Sequence, residues 1–338
     1  MKQHPIDFVV TWLDSSDPEW QKEYSKYRGG THREDNARFR NWDLFKYWFR
    51  SIETYAPWVN KVFLVTNGTF PKWINPNHPK LVLVKHSDFI PAKYLPTFNS
   101  HTIELHLHRI KGLSEHYVYH NDDTYLNAPI NPDYYFINGL PCDSNKERIS
   151  NFPTYNKIDK FSHKINLYCD LGVVNYHFNR QKVVRQSPKR WFGKHLGVKG
   201  ILASIILYKN PGFVAFYSRH FERPMLKSIF DEIWEQEPEM MDSSCTRFRQ
   251  DVSLSPYVIR YWQFATNRFH PISFDSGRHL NITKENLSII IQSLNDPSIK
   301  SLCVNDSPLC NEEDVESIKE SLLDSFNKKF PSKSNFEI

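Results

Sequence analysis

The sequence predicts an α/β protein built on a parallel, doubly wound sheet. Three observations carry that expectation. Four short β-branched or aromatic runs fall within the first 126 residues, helix-length or loop-length segments separate them, and each run ends on a polar or acidic cluster. Loops that follow parallel strands gather on one edge, so those clusters are expected together.

The first strand, Ile6 to Leu13 (IDFVVTWL), runs into the turn residues Asp14, Ser15, Ser16, Asp17 and Pro18. From Asn41, the spacing of Trp42, Phe45, Phe49 and Ile52 predicts a helix that Pro57 ends. Arg38 and Arg40 lie just before it, placed either to grip phosphate or carboxylate or to form structural ion pairs. Lys61 to Thr66 and Lys80 to Lys85 are the second and third strands, ending on Asn67-Gly68 and on His86-Ser87-Asp88. In the stretch Leu95 to Leu126, Asn99 or Ser100 caps a helix whose apolar residues Ile103, Leu107 and Ile110 recur at i, i+4 and i+7, and Gly112 closes it. His116 to His120 then reads as a buried strand running into Asn121, Asp122 and Asp123. Adjacent carboxylates at the carboxyl end of a parallel strand sit where open α/β sheets bind ligands.

Residues 127–218, rich in Pro, Asn and Lys with short apolar runs such as Gly200 to Leu207, read as an insertion. Regularity returns in 219–338. His220 precedes Pro224, and Met225, Ile229 and Ile233 predict a helix from the proline to about Pro238. CTRFRQD, Cys245 to Asp251, puts Arg247, Arg249 and Asp251 close to the entrance of an aromatic helix, Pro256 to Ala265. A helix over Lys284 to Leu294 leads into a strand, Lys300 to Val304, that ends on Asn305 and Asp306, a second Asn-Asp pair. Val315, Ile318, Leu322 and Phe326 form the apolar face of a docked C-terminal helix with Asn311 or a preceding serine as its cap.

A length of 338 residues can bury a large core. The net charge of +5, from 43 basic and 38 acidic residues mixed along the chain, argues against nucleic-acid binding but suits anionic substrates or an acidic membrane surface. Five cysteines without a CxxC pair suggest neither a disulfide framework nor a zinc site. No apolar run reaches membrane-spanning length and the start lacks the features of a signal peptide, so a cytoplasmic chain is expected, with any membrane association peripheral.

Asp122 and Asp123 with Asp306 can hold Mg²⁺ or Mn²⁺, because hard cations take carboxylate oxygens and share them with phosphates. The competing explanation is turn chemistry, which places Asn and Asp at strand ends regardless of function. His220 is a candidate general base and Arg247 or Arg249 a neutraliser of phosphoryl charge; a structural histidine and an ion pair with Asp251 are the ordinary alternatives. His101, Glu104 and His108 share a helix face, which a capped amphipathic helix explains better than zinc does.

These motifs fall into four ordered blocks. They are IDFVVTWLDSSDPEW; the run from RFRNWDLFKYWFRSIETYAPWV through FLVTNGTFPKWIN to PTFNSHTIELHLHRIKGLSEHYVYHNDD; RHFERPMLKSIFDEIW with CTRFRQD and RYWQFATNRFHP; and CVND. On them the chain resembles the Stealth family of capsular and cell-surface polysaccharide phosphotransferases, relatives of the lysosomal-enzyme N-acetylglucosamine-1-phosphotransferase. The resemblance implies a single catalytic domain: a Rossmann-like nucleotide-sugar-binding core (1–126) with helices on both faces, an inserted acceptor-site region (127–218) and a completing half (219–338). It implies transfer of a sugar 1-phosphate from a UDP-sugar to a hydroxyl of a polysaccharide or lipid-linked glycan, with release of UMP. It also places Asp14, Arg40, Asn99, Ser100 and Asn305 in substrate binding, Asp122, Asp123 and Asp306 in metal binding, and His220, Arg247, Arg249 and Asp251 in catalysis. The rival enzyme reading is a metal-dependent glycosyltransferase that attacks the anomeric carbon and releases UDP; a polysaccharide-binding protein with a retired site is a third.

Overall fold

The computed structural model describes residues 4–28, 40–149, 162–218, 220–250, 252–273 and 276–338. Strands β1 (Ile6–Thr11), β2 (Val62–Thr66), β3 (Leu81–Lys85) and β4 (His116–Asn121) are the four expected from sequence, and they pair in parallel in the order β3-β2-β1-β4. β1 and β2 are buried almost end to end, as strands covered on both faces must be. The remaining strands are β5 (Thr124–Leu126), β6 (Phe136–Ile137), β7 (Leu140–Asp143), β8 (Arg223–Leu226), β9 (His270–Pro271), β10 (Gly277–Asn281) and β11 (Ser301–Asn305). β8 adds antiparallel to β4; β10, β11 and β5 form a second sheet and β6, β7 and β9 a third.

β2 and β3 extend the main sheet on one side of β1 while β4 lies on the other. The crevice of an open α/β sheet forms at such a reversal, outside the carboxyl ends of the strands. Thr11 and Asn121, the last residues of β1 and β4, are register partners, so the two strands stop level with one another.

Several elements differ from their sequence expectations. The helix after Asn41 begins only at Phe45, because Asp43 takes a positive φ of 55° and its amide donates to Asn41 Oδ1. The stretch after Asn99 is a short helix, Ser100–Leu105, and then a 3₁₀ turn, Leu107–Arg109. At the break, His106 turns its Nδ1 onto Thr102 O at 2.8 Å and packs between Tyr94 and Trp234. Pro224 and Met225 do not open a helix; they lie in β8, and the helix starts at Lys227. An edge strand tolerates proline because one row of its amides faces no partner. A helix over Pro18–Arg28, for which the sequence shows only the turn residues Asp14 to Pro18 before it, buries Trp20 and Tyr24 four positions apart.

The helices Tyr257–Ala265, Leu287–Asn295 and Val315–Lys329 match expectation, the last burying Ile318, Leu322 and Phe326. Residues 127–218 contribute Leu171, Val174, Val183, Trp191 and Phe216 to the same hydrophobic cluster that holds Phe8, Trp48 and Tyr119, so this stretch shares the core of the sheet. All five cysteines are free, and no helix among the described residues is long and apolar enough to cross a membrane.

Candidate active site

β4 leaves the main sheet at Asn121 and β5 enters the second sheet at Thr124, which makes Asp122 and Asp123 a two-residue corner between sheets. Backbone pairing fixes both sides of it. Thr11 matches Asn121, Cys303 matches Thr124, and the Val304 amide donates to Asp123 O at 2.9 Å. The two carboxylates line a cleft of about 1720 Å³. Pockets for one small ligand hold about 300–1,000 Å³, so this cleft has room for more than one.

Asp123 Oδ2 lies 3.6 Å from His220 Nε2 and accepts from the Cys303 thiol at 3.6 Å. His220 Nε2 is also 2.8 Å from Asn121 Nδ2. Asp123, His220 and Cys303 each present one ligand atom within 4.8 Å of the others, a constellation able to hold a metal ion. The electrostatics follow from a cleft floor that water reaches but protein surrounds. Desolvation, joined by the adjacent Asp123, pushes the Asp122 carboxyl up to about 7. Desolvation pulls the His220 imidazole down and Asp123 more than reverses it, leaving a raised pKa. Burial and then Asp123 raise the Cys303 thiol well above its usual value, so it is a neutral donor rather than a thiolate.

Three of the arginines that line the cleft have partners that fix their position. Arg40 reaches Asp306 Oδ1 at 2.9 Å and Glu312 Oε1 at 2.7 Å. Arg223, at the start of β8, is ion-paired with Glu104 and lies over the rings of Tyr119 and Tyr257 at 4.8 and 5.2 Å. Arg249 donates to Ser100 Oγ at 2.6 Å. Its segment is held against the Ser100 helix through its carbonyls: the Phe98 amide donates to Arg247 O, and the Thr102 hydroxyl to Thr246 O, both at 2.8 Å.

Of the residues singled out from sequence, Asp122, Asp123, His220, Arg40, Ser100, Arg249, Asn305 and Asp306 line this one cleft. Asp306 is engaged by Arg40, and burial raises its pKa while Arg40 opposes the rise. Arg247 does not line the cleft; its Nε donates to Pro96 O at 3.0 Å and its guanidinium lies 4.0 Å from the Tyr27 ring. Asn99 is buried as the helix N-cap, accepting from the His101 amide. Asp14 accepts from the amide and hydroxyl of Ser16, a turn role. Asp251 and Arg38 lie outside the described residues. Glu104, grouped in the sequence with two histidines, is the partner of Arg223.

Sequence reasoning missed Cys303, Arg223 and His279, whose ring lies 5.9 Å from that of His220. A signal existed for Cys303: strand side chains alternate, so it shares a face with Asn305. Arg223 carried none, because its partner is 119 positions away.

Residues 4–32 match conserved region 1 of the Stealth proteins, and residues 38–142 match their conserved region 2. The chain is 35% identical over 340 residues to the capsular polysaccharide phosphotransferase WcwK of Streptococcus pneumoniae, covering 98% of each chain. It is 35% identical over 341 residues to the receptor polysaccharide phosphotransferase WefC of Streptococcus oralis, covering 98% of this chain and 99% of that one. It is 34% identical over 334 residues to the exopolysaccharide phosphotransferase cps2G of Lactiplantibacillus plantarum, covering 98% and 96%. A crystal structure of the galactosyltransferase LgtC with donor and acceptor sugar analogues aligns over 97% of this chain and 98% of its own, at 10% identity and a TM-score of 0.39. With two conserved regions matched and relatives aligned from end to end, the chain belongs to the Stealth family of polysaccharide phosphotransferases.

Proposed function

We propose that the enzyme moves a hexose or hexosamine 1-phosphate from a UDP-sugar to a hydroxyl of a capsular or cell-surface polysaccharide, or of its lipid-linked precursor. A phosphodiester forms and UMP leaves. The observation that carries this reading is the meeting, in one cleft at the switch point, of the Asp122-Asp123 corner with Arg40 and the Arg249–Ser100 pair. Adjacent carboxylates with arginines within one cleft suit a diphosphate bridged by a cation.

Asp122 and Asp123 fit a divalent ion, since the carboxyl of Asp122 is held up partly by its neighbour, and a dication relieves that repulsion. We assign Mg²⁺ or Mn²⁺ to this pair; bound there, the ion neutralises charge on the diphosphate. The acceptor oxygen attacks the β-phosphorus in line with the bridging oxygen, whose bond to that phosphorus breaks and whose electron pair departs with UMP. His220 takes the acceptor's proton, and the nearby Asp123 carboxylate stabilises the imidazolium. Arg249, oriented by Ser100, steadies the equatorial oxygens, while Asp306 and Glu312 hold Arg40 for the donor.

The test is to supply the protein with Mn²⁺, a panel of UDP-sugars and a glycan acceptor. UMP with a new phosphodiester resonance in ³¹P NMR is expected; UDP without that resonance would replace this reading with attack at the anomeric carbon. The His220 assignment has its own check. His220→Ala should lose turnover yet bind Mn²⁺ normally by calorimetry, whereas loss of Mn²⁺ binding would make His220 a ligand instead of the base.

A further inference from the structure

From Leu171 to Phe221 the chain carries nine Lys or Arg and neither Asp nor Glu. Inside this stretch the helix Gly197–Ile206 buries its small residues Gly200, Ala203 and Ser204 and leaves its large ones outside. Val198 is 76% exposed, Leu202 52%, Ile205 55% and Ile206 62%, and Tyr208 just beyond is 44% exposed. A surface helix of a soluble protein does the reverse, and a contiguous aliphatic patch of this kind marks an interaction surface. Lys194, Lys199 and Lys209 are exposed on and beside the same helix, and Lys182, Arg185 and Lys189 on the two short helices before it.

Contacts of the residues before this helix tie it to a segment that reaches the cleft. Asn145 Nδ2 donates to Arg190 O at 3.0 Å, and His195 Nε2 lies 3.2 Å from Asn145 Oδ1. The Glu147 carboxylate takes both arms of the buried Arg180 at 2.7 and 2.6 Å, and the next residue, Arg148, lines the cleft.

We propose that this face docks on a bilayer of anionic phospholipid. Charge decides among the occupants. A second copy meeting the patch symmetrically would set lysines against lysines. An anionic bilayer complements the basic rim and takes the aliphatic side chains below its headgroups, with Lys199 reaching back to the surface. The docking stands without the phosphotransferase reading; its consequence, that the cleft meets a membrane-borne acceptor, rests on that reading.

The experiment is co-sedimentation of the full chain with phosphatidylglycerol or phosphatidylcholine vesicles at two salt concentrations. Binding to the anionic vesicles, weakened by salt and absent from the zwitterionic ones, is expected. Leu202→Asp with Ile206→Asp should weaken it about tenfold or more. Lys194→Glu with Lys199→Glu should weaken it by at least about 25-fold, since each basic residue near the surface contributes about fivefold. Val198→Asp, at the most exposed aliphatic, serves if the double variant melts early. UMP release with a soluble acceptor should be unchanged in all of them, which separates failed docking from failed chemistry. Equal binding to both lipids, no binding to either, variants that bind like wild type, or a concentration-dependent dimer that the Leu202 and Ile206 changes abolish would each overturn the proposal.

Discussion

Asp122 and Asp123 on one hand, and Arg40, Arg223 and Arg249 on the other, line the same cleft but differ in what holds them. The acidic corner is set by main-chain pairing to β1 on one side and β11 on the other, so its side chains bear little of the structural load. Each arginine is placed by a side chain from a distant segment: Arg40 by Asp306 and Glu312, Arg223 by Glu104, Arg249 by Ser100. The difference teaches that chemistry and stability are separable at the corner and entangled at Arg223, whose partner Glu104 is buried with it. A carboxylate on a backbone-fixed turn can be neutralised in place, whereas a buried arginine that loses its partner is left as a desolvated charge.

That contrast can be broken most decisively at Asp123. Asp123→Asn should lower UMP release about 10³-fold or more, while the melting temperature stays within about 2 °C of wild type. A large fall in melting temperature would mean that the carboxylate itself holds the corner. Glu104→Gln is the counterpart. It should destabilise the fold by about 3 kcal/mol in urea titrations, because Arg223 and Glu104 are both largely buried, and adding Arg223→Met should recover most of that loss. If Glu104→Gln leaves stability untouched, the two sides of the cleft are not built differently. Arg249→Ala should reduce kcat about 10²-fold with little effect on melting, and Arg249→Lys should restore only part, since lysine lacks the fork geometry. The smallest effect is expected at Glu312, whose side chain is 70% exposed: Glu312→Gln should change stability by less than about 0.5 kcal/mol, Asp306 continuing to hold Arg40.

The same distinction explains what could be read from the residues. β1 to β4 and the corner were legible because they depend on local pattern: β-branched runs, strand ends and the adjacency of Asp122 and Asp123. The tail helix was legible through its apolar spacing. The Pro18–Arg28 helix hid behind the turn-rich Asp14 to Pro18, and β8 was mistaken for a helix start because a first-turn proline and an edge-strand proline look alike. The arginine partnerships were not legible, because pairs such as Arg40 with Glu312 are 272 positions apart and nothing local encodes them. Asn99 showed the opposite hazard. A capping residue next to a cleft carries the same letters as a ligand-binding one, and its burial assigns it to the cap.

The pairing that anchors the corner also has a place in time. Cys303, which donates to Asp123, stands 180 positions after it, and the neighbouring Val304 amide completes the turn. At about 5–20 residues per second, a ribosome needs roughly 10–40 s to travel from one to the other. Through that interval the four parallel strands have been synthesised in full while Asp122 and Asp123 still lack the strand that closes their corner. A nascent chain therefore acquires its parallel sheet well before its chemistry, and a product that stops short of β11 carries both aspartates without the frame that aims them.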